Sequence, residues 1–359
     1  MQPRVTRRAG VSALPLLLSL GAIARSPAQT LRGELVGATT GLPVAFGLIS
    51  LLDSARLERD RTVTAVDGRF VLRAPGPGEY RLRALRIGYR RWDSPPLRLS
   101  AGETLDYRIE MPEVPVQLAS ITVERRNRCR VRPAEGESAA TLWEEVTKAL
   151  RVTQVTLERK LYRFRTETFR RTLDRALKPL EEQRDSALGF GGWSFVSLPP
   201  ESLARRGFVY DSTGGPVFVA PDIQVLLSDP FLESHCFKVQ SPAGNDTALV
   251  GLAFEPVPRP QRRDIAGVLW LDRRTAELRV VEYHYTNLDP WMPGARAGGR
   301  VEFHQLPDGA WFIRGWSITV PILRFRAGAS RADLSGFRQG GGQVREVLTA
   351  GGRPILTFP

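Results

Sequence analysis

Apolar and polar residues alternate in short runs over the first third of the chain, and glycine and proline cut these runs into segments of strand length. Val44 to Leu51 supplies an apolar strand after the turn-rich stretch from Gly37 to Pro43. Asp67-Gly68 marks a tight turn, because glycine adopts the positive backbone angle such a turn needs. In the segment that follows, Phe70 and Leu72 oppose Arg69, Val71 and Arg73. Pro75-Gly76-Pro77-Gly78 makes the next turn, and beyond it Tyr80, Leu82 and Ala84 oppose Arg81 and Arg83. With the segments around Leu97 to Leu99 and Leu105 to Ile109, the pattern predicts a small β-sandwich over residues 30–123.

The period changes after a charged linker, 124–136. Leu142, Trp143, Val146, Ala149 and Leu150 recur at helical spacing, Ser138 or Thr141 can cap the helix, and Glu144 and Glu145 fall in its early turns. Such a stripe serves either a partner protein or a second core of the same chain, and anchors as large as Trp143 and Leu150 favour the core. From Leu161 to Phe169, Tyr162, Phe164, Thr166 and Thr168 oppose Arg163, Arg165 and Glu167, which predicts a strand. Arg170, Arg171, Arg175 and Lys178 follow, and read either as a stripe for an anionic ligand or as a solvated sheet face. Pro199 to Ala204 predicts a turn into a short helix, and Asp229-Pro230-Phe231 precedes the strand that holds Cys236. Leu249 to Phe254, Ala266 to Leu271, Glu277 to Tyr285, Gly299 to His304 and Trp311 to Val320 predict a meander turned at Asp272 to Thr275 and Pro307 to Gly309. One face of this sheet is expected to hold Val268, Trp270, Val281, Tyr283, Tyr285, Phe312, Trp316 and Ile318. Gly340-Gly341-Gly342 lacks the lysine and hydroxyl of a phosphate loop and reads as a flexible turn. The expected fold class is therefore mainly β: a β-sandwich, then an α+β domain over 137–359 with a curved antiparallel sheet.

The first residues add a compartment. Arg4, Arg7 and Arg8, the apolar run from Val11 to Ile23 and the ending Ser26-Pro27-Ala28 have the build of an export signal, residues 1–28, with cleavage expected after Ala28. The run is interrupted by Arg25 too soon for a membrane span of about 20 apolar residues, so an uncleaved anchor is the lesser alternative. No transmembrane span is expected after its removal, and the protein is placed in the periplasm or against the outer membrane. The formal charge is +13; four leader arginines and no leader acid contribute to it, which leaves +9 on the mature chain. That excess suits anionic lipid or acidic polysaccharide, or is simply a solvated surface, and export argues against nucleic acid. Cys129 and Cys236 are the only thiols, and an oxidising compartment predicts one disulfide between them. It would close a loop of about 107 residues, for which chain entropy gives roughly 4 to 5 kcal/mol, and would pin the linker to the second domain.

The order Gly33 to Val36, Gly41-Leu42-Pro43-Val44-Ala45, Ile49-Ser50-Leu51, Thr64 with Asp67-Gly68-Arg69-Phe70, Gly78-Glu79-Tyr80-Arg81-Leu82 and Ile87-Gly88-Tyr89 resembles the carboxypeptidase regulatory-like domain over roughly residues 30–112. The resemblance implies a prealbumin-like, Ig-like sandwich of the kind found beside peptidases and at the front of outer-membrane receptors; it implies no reaction. The family's peptidase partners hold zinc with a His-x-x-Glu pair and a distant histidine. Here His235 precedes Cys236-Phe237-Lys238, His284 precedes Tyr285-Thr286-Asn287 and His304 precedes Gln305-Leu306-Pro307, so no such site is expected. His235 and Cys236 are neighbours on a strand and point to opposite faces, which makes a nucleophile and base pair the weaker reading of the cysteine. The hairpin Ile265 to Asp272 with Leu278 to Tyr283 is similar to the strand pair of lipoprotein-carrier and outer-membrane sorting proteins, whose open sheet curves around an apolar cavity. The chain as a whole resembles bacterial exported proteins that join a regulatory-like sandwich to such a sheet.

The expected function is a non-enzymatic exported envelope protein, a binding or structural module whose partner is an envelope protein, a lipid or a glycan. Candidate ligand-facing residues are Trp270, Tyr283, Tyr285 and Trp316 on the sheet, and Trp92 and Tyr89 as a sugar-stacking pair on the sandwich. No catalytic, cofactor-binding or metal-binding residue is expected. A hydrolase using Asp264, Asp272, Glu277 or Glu282 is the distant alternative, since these carboxylates flank a hairpin and suit turn or solvent positions.

Overall fold

The computed structural model describes residues 29–113, 118, 137–190, 195–213, 215–242, 248–257, 262–289, 296–325 and 332–359. The leader, the linker 124–136 and Cys129 lie outside the described residues.

The N-terminal unit comprises β1 (Gln29–Gly37), β2 (Leu48–Asp53), β3 (Glu58–Val63), β4 (Arg69–Ala74), β5 (Gly78–Leu85), β6 (Trp92–Asp93), β7 (Leu97–Leu99) and β8 (Thr104–Met111). They form two sheets, β4-β1-β8 and β3-β2-β5-β6, with β7 also on β5. Alternation sends Leu31, Leu35, Phe70, Leu72 and Ile109 from one sheet, and Ile49, Leu51, Tyr80, Leu82 and Ala84 from the other, into a shared core. This is a β-sandwich, as the pattern predicts. The Asp67-Gly68 turn joins β3 to β4, which lie in different sheets, so it carries the chain across the sandwich. Gly68 sits at φ +75, where a Cβ would stand 2.5 Å from the Leu35 carbonyl oxygen. The strand expected from Val44 begins only at Leu48. Phe46 takes the left-handed conformation (φ 52) and leaves the sandwich to join Tyr162, Phe164, Leu306 and Phe312.

Helix α1 (Glu137–Glu158) follows and runs further than the stripe predicts. Then come β9 (Tyr162–Leu173), β10 (Pro179–Gly189), α2 (Pro200–Arg206), β11 (Val209–Ser212), β12 (Gly215–Phe218), α3 (Ile223–Leu226) and α4 (Asp229–Ser234). The remaining strands are β13 (His235–Gln240), β14 (Leu249–Pro256), β15 (Asp264–Asp272), β16 (Leu278–Thr286), β17 (Gly298–Gln305), β18 (Trp311–Phe325), β19 (Ala332–Thr349) and β20 (Pro354–Thr357). The broad sheet has the order β10-β9-β19-β18-β17-β16-β15-β14-β13, with β20 on β19. Its meander from β14 to β18 is the expected one; β13, the expected strand of Cys236, and the long β19, which the pattern does not predict, extend it on either side, and the β9–β10 hairpin, earlier in the chain, completes it at the far edge.

Helix α1 is amphipathic, yet it is buried along most of its length, polar residues such as Glu145, Lys148, Thr153 and Thr156 included. Leu142, Val146, Ala149, Leu150, Val152 and Val155 are buried in one cluster with Leu48, Leu85 and Ile87 of the sandwich and with Leu252, Leu269 and Val281 of the broad sheet. Asp229-Pro230-Phe231 opens helix α4, because the Ser228 hydroxyl accepts from the Phe231 N–H and proline suits the first helical turn.

Gly340 to Gly342, expected as a flexible turn, lies instead in the middle of β19, paired on both sides. The reason is across the strands. Trp316 stands directly opposite Gly342, Phe169 opposite Gly341, Trp270 opposite Gly251, Phe254 opposite Gly267 and Tyr283 opposite Gly299. In every pair the ring occupies the place of the missing side chain, with ring carbons 2.4 to 2.7 Å from where a Cβ would be. Glycine lets a large ring lie flat on the neighbouring strand. Register also corrects the expected face. Trp270 pairs with Val280 and Val268 with Glu282, whereas Leu269 pairs with Val281, so Val268 and Trp270 face away from Val281, Tyr283, Trp316 and Ile318. Phe312 belongs to the separate cluster with Phe164 and Val347. One position of register flips a side chain to the other face.

Gly267→Ala tests the ring-on-glycine arrangement, since its Cβ would stand 2.1 Å from the Glu282 carbonyl oxygen and 2.6 Å from the Phe254 ring. Urea unfolding is expected to show a loss of about 1–3 kcal/mol.

Candidate functional site

Three places carry chemistry: the joint at α1, a buried polar cluster at the edge of the broad sheet, and the uncovered face of the sandwich. At the joint, Lys148 and Glu145 are both 1% exposed, one helical turn apart. The Lys148 ammonium donates to Glu145 Oε1 at 2.6 Å and to the Tyr89 carbonyl at 2.6 Å, with Glu144 at 3.2 Å. The other Glu145 oxygen accepts the Gly88 N–H at 2.8 Å. Burial pushes the Glu145 carboxyl above its ordinary range, and Lys148 and the Gly88 N–H only partly offset it. Arg61 to Glu158 at 3.1 Å, and Arg159 to the Arg61 carbonyl at 2.8 Å, hold the far end of the helix to the sandwich.

The candidate aromatic residues are dispersed. Tyr89 gives its carbonyl to the joint, and Trp92, half-buried, packs toward Tyr107 with ring centroids 6.3 Å apart. Tyr283 and Tyr285 are buried, and burial raises both hydroxyl pKa values. Tyr285 donates to the Val219 carbonyl at 3.1 Å. Trp316 is half-buried against the same core, while Trp270 lies on the opposite face and donates to Glu282 at 3.2 Å. The cavity between Tyr283, Val281, Val301, Ile223 and Leu226 measures about 10 Å³, room for one water.

The polar cluster joins Ser234, His235, Arg262 and Asp264, which sequence reasoning left apart because its members come from α4, β13 and the start of β15. His235 Nε2 is 3.4 Å from Asp264 and 3.2 Å from the Ile265 carbonyl, and Nδ1 is 3.1 Å from the Ser234 hydroxyl and 3.0 Å from the Phe231 carbonyl. Arg262 reaches Asp264 at 2.5 Å and donates to the Ala204 carbonyl of α2 at 2.7 Å. Burial alone would raise the Asp264 carboxyl; His235, Arg262 and the Ile265 N–H outweigh it and hold the group below its ordinary value. Serine, histidine and aspartate in contact suggest a nucleophile relay, but the three are 4%, 0% and 1% exposed. The adjoining cavity of about 10 Å³ admits a water and no substrate. The cluster braces α2 and α4 against the sheet. Cys236 follows on β13, opposite Glu255, and is not a free thiol. Among the described residues no three His, Cys, Asp or Glu side chains converge as metal ligands.

On the sandwich, Arg32, Glu34, Arg69, Val71, Asp106 and Arg108 surround an open depression of about 590 Å³ over β4-β1-β8. The register sets Arg32 beside Asp106 and Glu34 beside Arg108, and both couples form ion pairs, the first at 2.5 Å. The hydrogen bond from Arg32 holds the Asp106 carboxyl below its usual range. Val71 is 53% exposed between these charges.

Residues 30–112 match the carboxypeptidase regulatory-like domain family, and the N-terminal unit is a β-sandwich of that family. Among curated proteins none matches the chain. Solved structures similar to it include a proposed carbohydrate-binding protein from Bacteroides uniformis, 10% identical, covering 72% of this chain and 96% of its own, with a TM-score of 0.23. A DUF3823 family protein from Bacteroides ovatus is 10% identical over 64% of this chain and 92% of its own, with a TM-score of 0.20. A 3-chlorocatechol 1,2-dioxygenase from Rhodococcus opacus is 15% identical over 25% of this chain, with a TM-score of 0.20, and the match spans 61% of that enzyme. Scores of this size carry no argument about function. Among the described residues no helix is long and apolar enough to cross a membrane.

The depressed Asp264 pKa has a pH signature. The stability it contributes is present above the group's ordinary value of 3.8 and is lost as pH falls through the lower folded value. Asp264→Asn is expected to cost about 3–5 kcal/mol at neutral pH, by leaving Arg262 without its buried counter-charge, and to flatten the acid limb of the stability curve. Chemical unfolding across pH measures both.

Proposed function

We propose that the chain is a non-enzymatic, exported cell-envelope protein that binds a protein partner through the uncovered face of β4-β1-β8, with the second domain held rigidly behind it. The observation that carries this reading is where the described residues leave room. The depression on that face measures about 590 Å³, whereas the two cavities beneath the helices measure about 10 Å³ each. Small-molecule sites are enclosed and mostly apolar; this one is open and ringed by guanidinium and carboxylate groups, which suits recognition by a broad, charge-complementary surface. A lipid held by the sheet receives less support, because the Trp270, Tyr283 and Trp316 rings already lie on Gly251, Gly299 and Gly342. A glycan stacked on Tyr89 and Trp92 receives less, because both are half-buried.

The same proposal includes signal cleavage after Ala28, a periplasmic or outer-membrane setting, domains at 30–123 and 137–359, and a staple between Cys129 and Cys236. That Cys236 is not a free thiol supports the staple.

Exchanging the charges of one surface pair tests the binding face. Arg32→Asp with Asp106→Arg keeps an ion pair and, because both groups are exposed, is expected to leave the unfolding midpoint nearly unchanged. A photo-crosslinker at Val71 is expected to join the unchanged protein to one envelope protein in living cells and to lose that product in the exchanged form. A crosslink that survives the exchange, or a stoichiometric lipid in native mass spectra, would refute this reading. Non-reducing intact mass of periplasmic material is expected to show no free thiol; two free thiols would remove the staple.

A further inference from the structure

The far end of the broad sheet, away from the sandwich face, has a surface that neither the fold nor the proposed partner uses. There β9 turns into β10 through Asp174 to Lys178. The turn is tightly held: Asp174 Oδ1 accepts the N–H groups of Ala176 and Lys178 at 2.8 Å each, its backbone N–H donates to the Lys178 carbonyl at 2.9 Å, and Arg296 donates to the Arg175 carbonyl at 2.5 Å. Within it Leu177 takes φ 66, a left-handed conformation that costs a leucine more than an asparagine or glycine. This strained leucine is 39% exposed, and Leu180 beside it is 64% exposed. On β18, separated from β9 by β19, Val320 and Ile322 continue the face of Ile318 and remain half-exposed.

The charges around these apolar groups differ from those on the rest of the sheet. Over its body most arginines are matched, Arg171 with Glu182, Arg184 with Glu167, Arg345 with Glu167, Arg165 with Glu346 and Arg300 with Glu282, while Arg163 lies 6.0 Å from the centre of the Phe190 ring. At the tip, Arg170, Arg175, Lys178, Arg324 and Arg338 are exposed, and none makes an ion pair among the described residues. Of the acids nearby, Asp174 is committed to the turn and Asp333 has a partner, which leaves Glu181 and, diagonal to Arg170, Asp185 against five cations. A soluble surface gains nothing from two exposed leucines, one of them strained, set among unmatched cations. A bilayer with anionic headgroups accommodates both: phosphates take the cations, and the leucines enter the interfacial region.

We propose that the β9–β10 tip and the adjoining end of β18–β19 form a docking surface for an anionic lipid membrane. Leu177 and Leu180 insert, and Arg170, Arg175, Lys178, Arg324 and Arg338 lie over the headgroups. The surface orients the rigid body so that the sandwich, built on other elements, stays free for its partner. This inference does not depend on the protein-binding reading, and the two fail separately.

Flotation of the full chain with phosphatidylcholine vesicles, with and without phosphatidylglycerol, tests it. Binding is expected only to the phosphatidylglycerol vesicles, and to weaken as salt rises. Arg175→Glu with Lys178→Glu is expected to weaken it by about fivefold or more for each cation removed. Leu177→Asn with Leu180→Asn leaves the charge unchanged and is expected to weaken binding by at least about tenfold, since two apolar side chains no longer leave water. Asparagine suits the left-handed position better than leucine, so an unchanged unfolding midpoint should accompany that loss. Equal binding to both vesicle types, or none to either, overturns the proposal. Leucine variants that float like the unchanged protein would show a purely electrostatic surface for soluble or polysaccharide polyanions, and overturn it as well.

Discussion

The architecture depends on burying one ion pair where three layers meet. Lys148 and Glu145 lie on a helix enclosed between the sandwich and the broad sheet, out of reach of water. The two charges answer each other, and the sandwich adds the Gly88 N–H for Glu145 and the Tyr89 carbonyl for Lys148. Gly88 is at φ +79, and a Cβ there would stand 3.2 Å from the Thr275 carbonyl oxygen of the β15–β16 turn. The loop after β5 is therefore held by the helix on one side and by the sheet on the other. A purely apolar joint would tolerate sliding. A buried pair with directional partners favours one arrangement of the helix against the loop after β5.

Around this joint the described residues leave two cavities of about 10 Å³ each. Aromatic rings that would otherwise line a cavity are laid on glycines of the next strand, and the polar cluster at Asp264 is closed over by α2 and α4. Among the described residues, the outward features are a charge-ringed face on the sandwich and the tip of the β9–β10 hairpin.

Much of the fold was legible along the chain. Tyr80, Leu82 and Ala84 alternating with Arg81 and Arg83 gave β5 its buried face, and Leu142 to Leu150 gave α1 its stripe. The meander from β14 to β18 followed from turns at Asp272 to Thr275 and Pro307 to Gly309. The candidate site was less legible. Trp270 and Tyr283 looked like companions because both are large aromatics on adjacent strands, but their register sets them on opposite faces. Ser234, His235 and Asp264 meet only because β13 and β15 flank β14 at the sheet edge.

By itself, then, the sequence determined the periodicities: which residues alternate, where glycine and proline interrupt them, and that one helical stripe separates two β-rich stretches. It also carried the motifs of the regulatory-like sandwich over residues 30–112. Only the tertiary structure decided that Gly340 to Gly342 is strand, that Lys148 is a buried joint residue, and that Leu177 and Leu180 stand out among unmatched cations. The physical reason is common to all three. Each depends on what lies across a strand, a layer or a turn, and a period of two or 3.6 residues reports on a chain's own neighbours, not on the surface it meets.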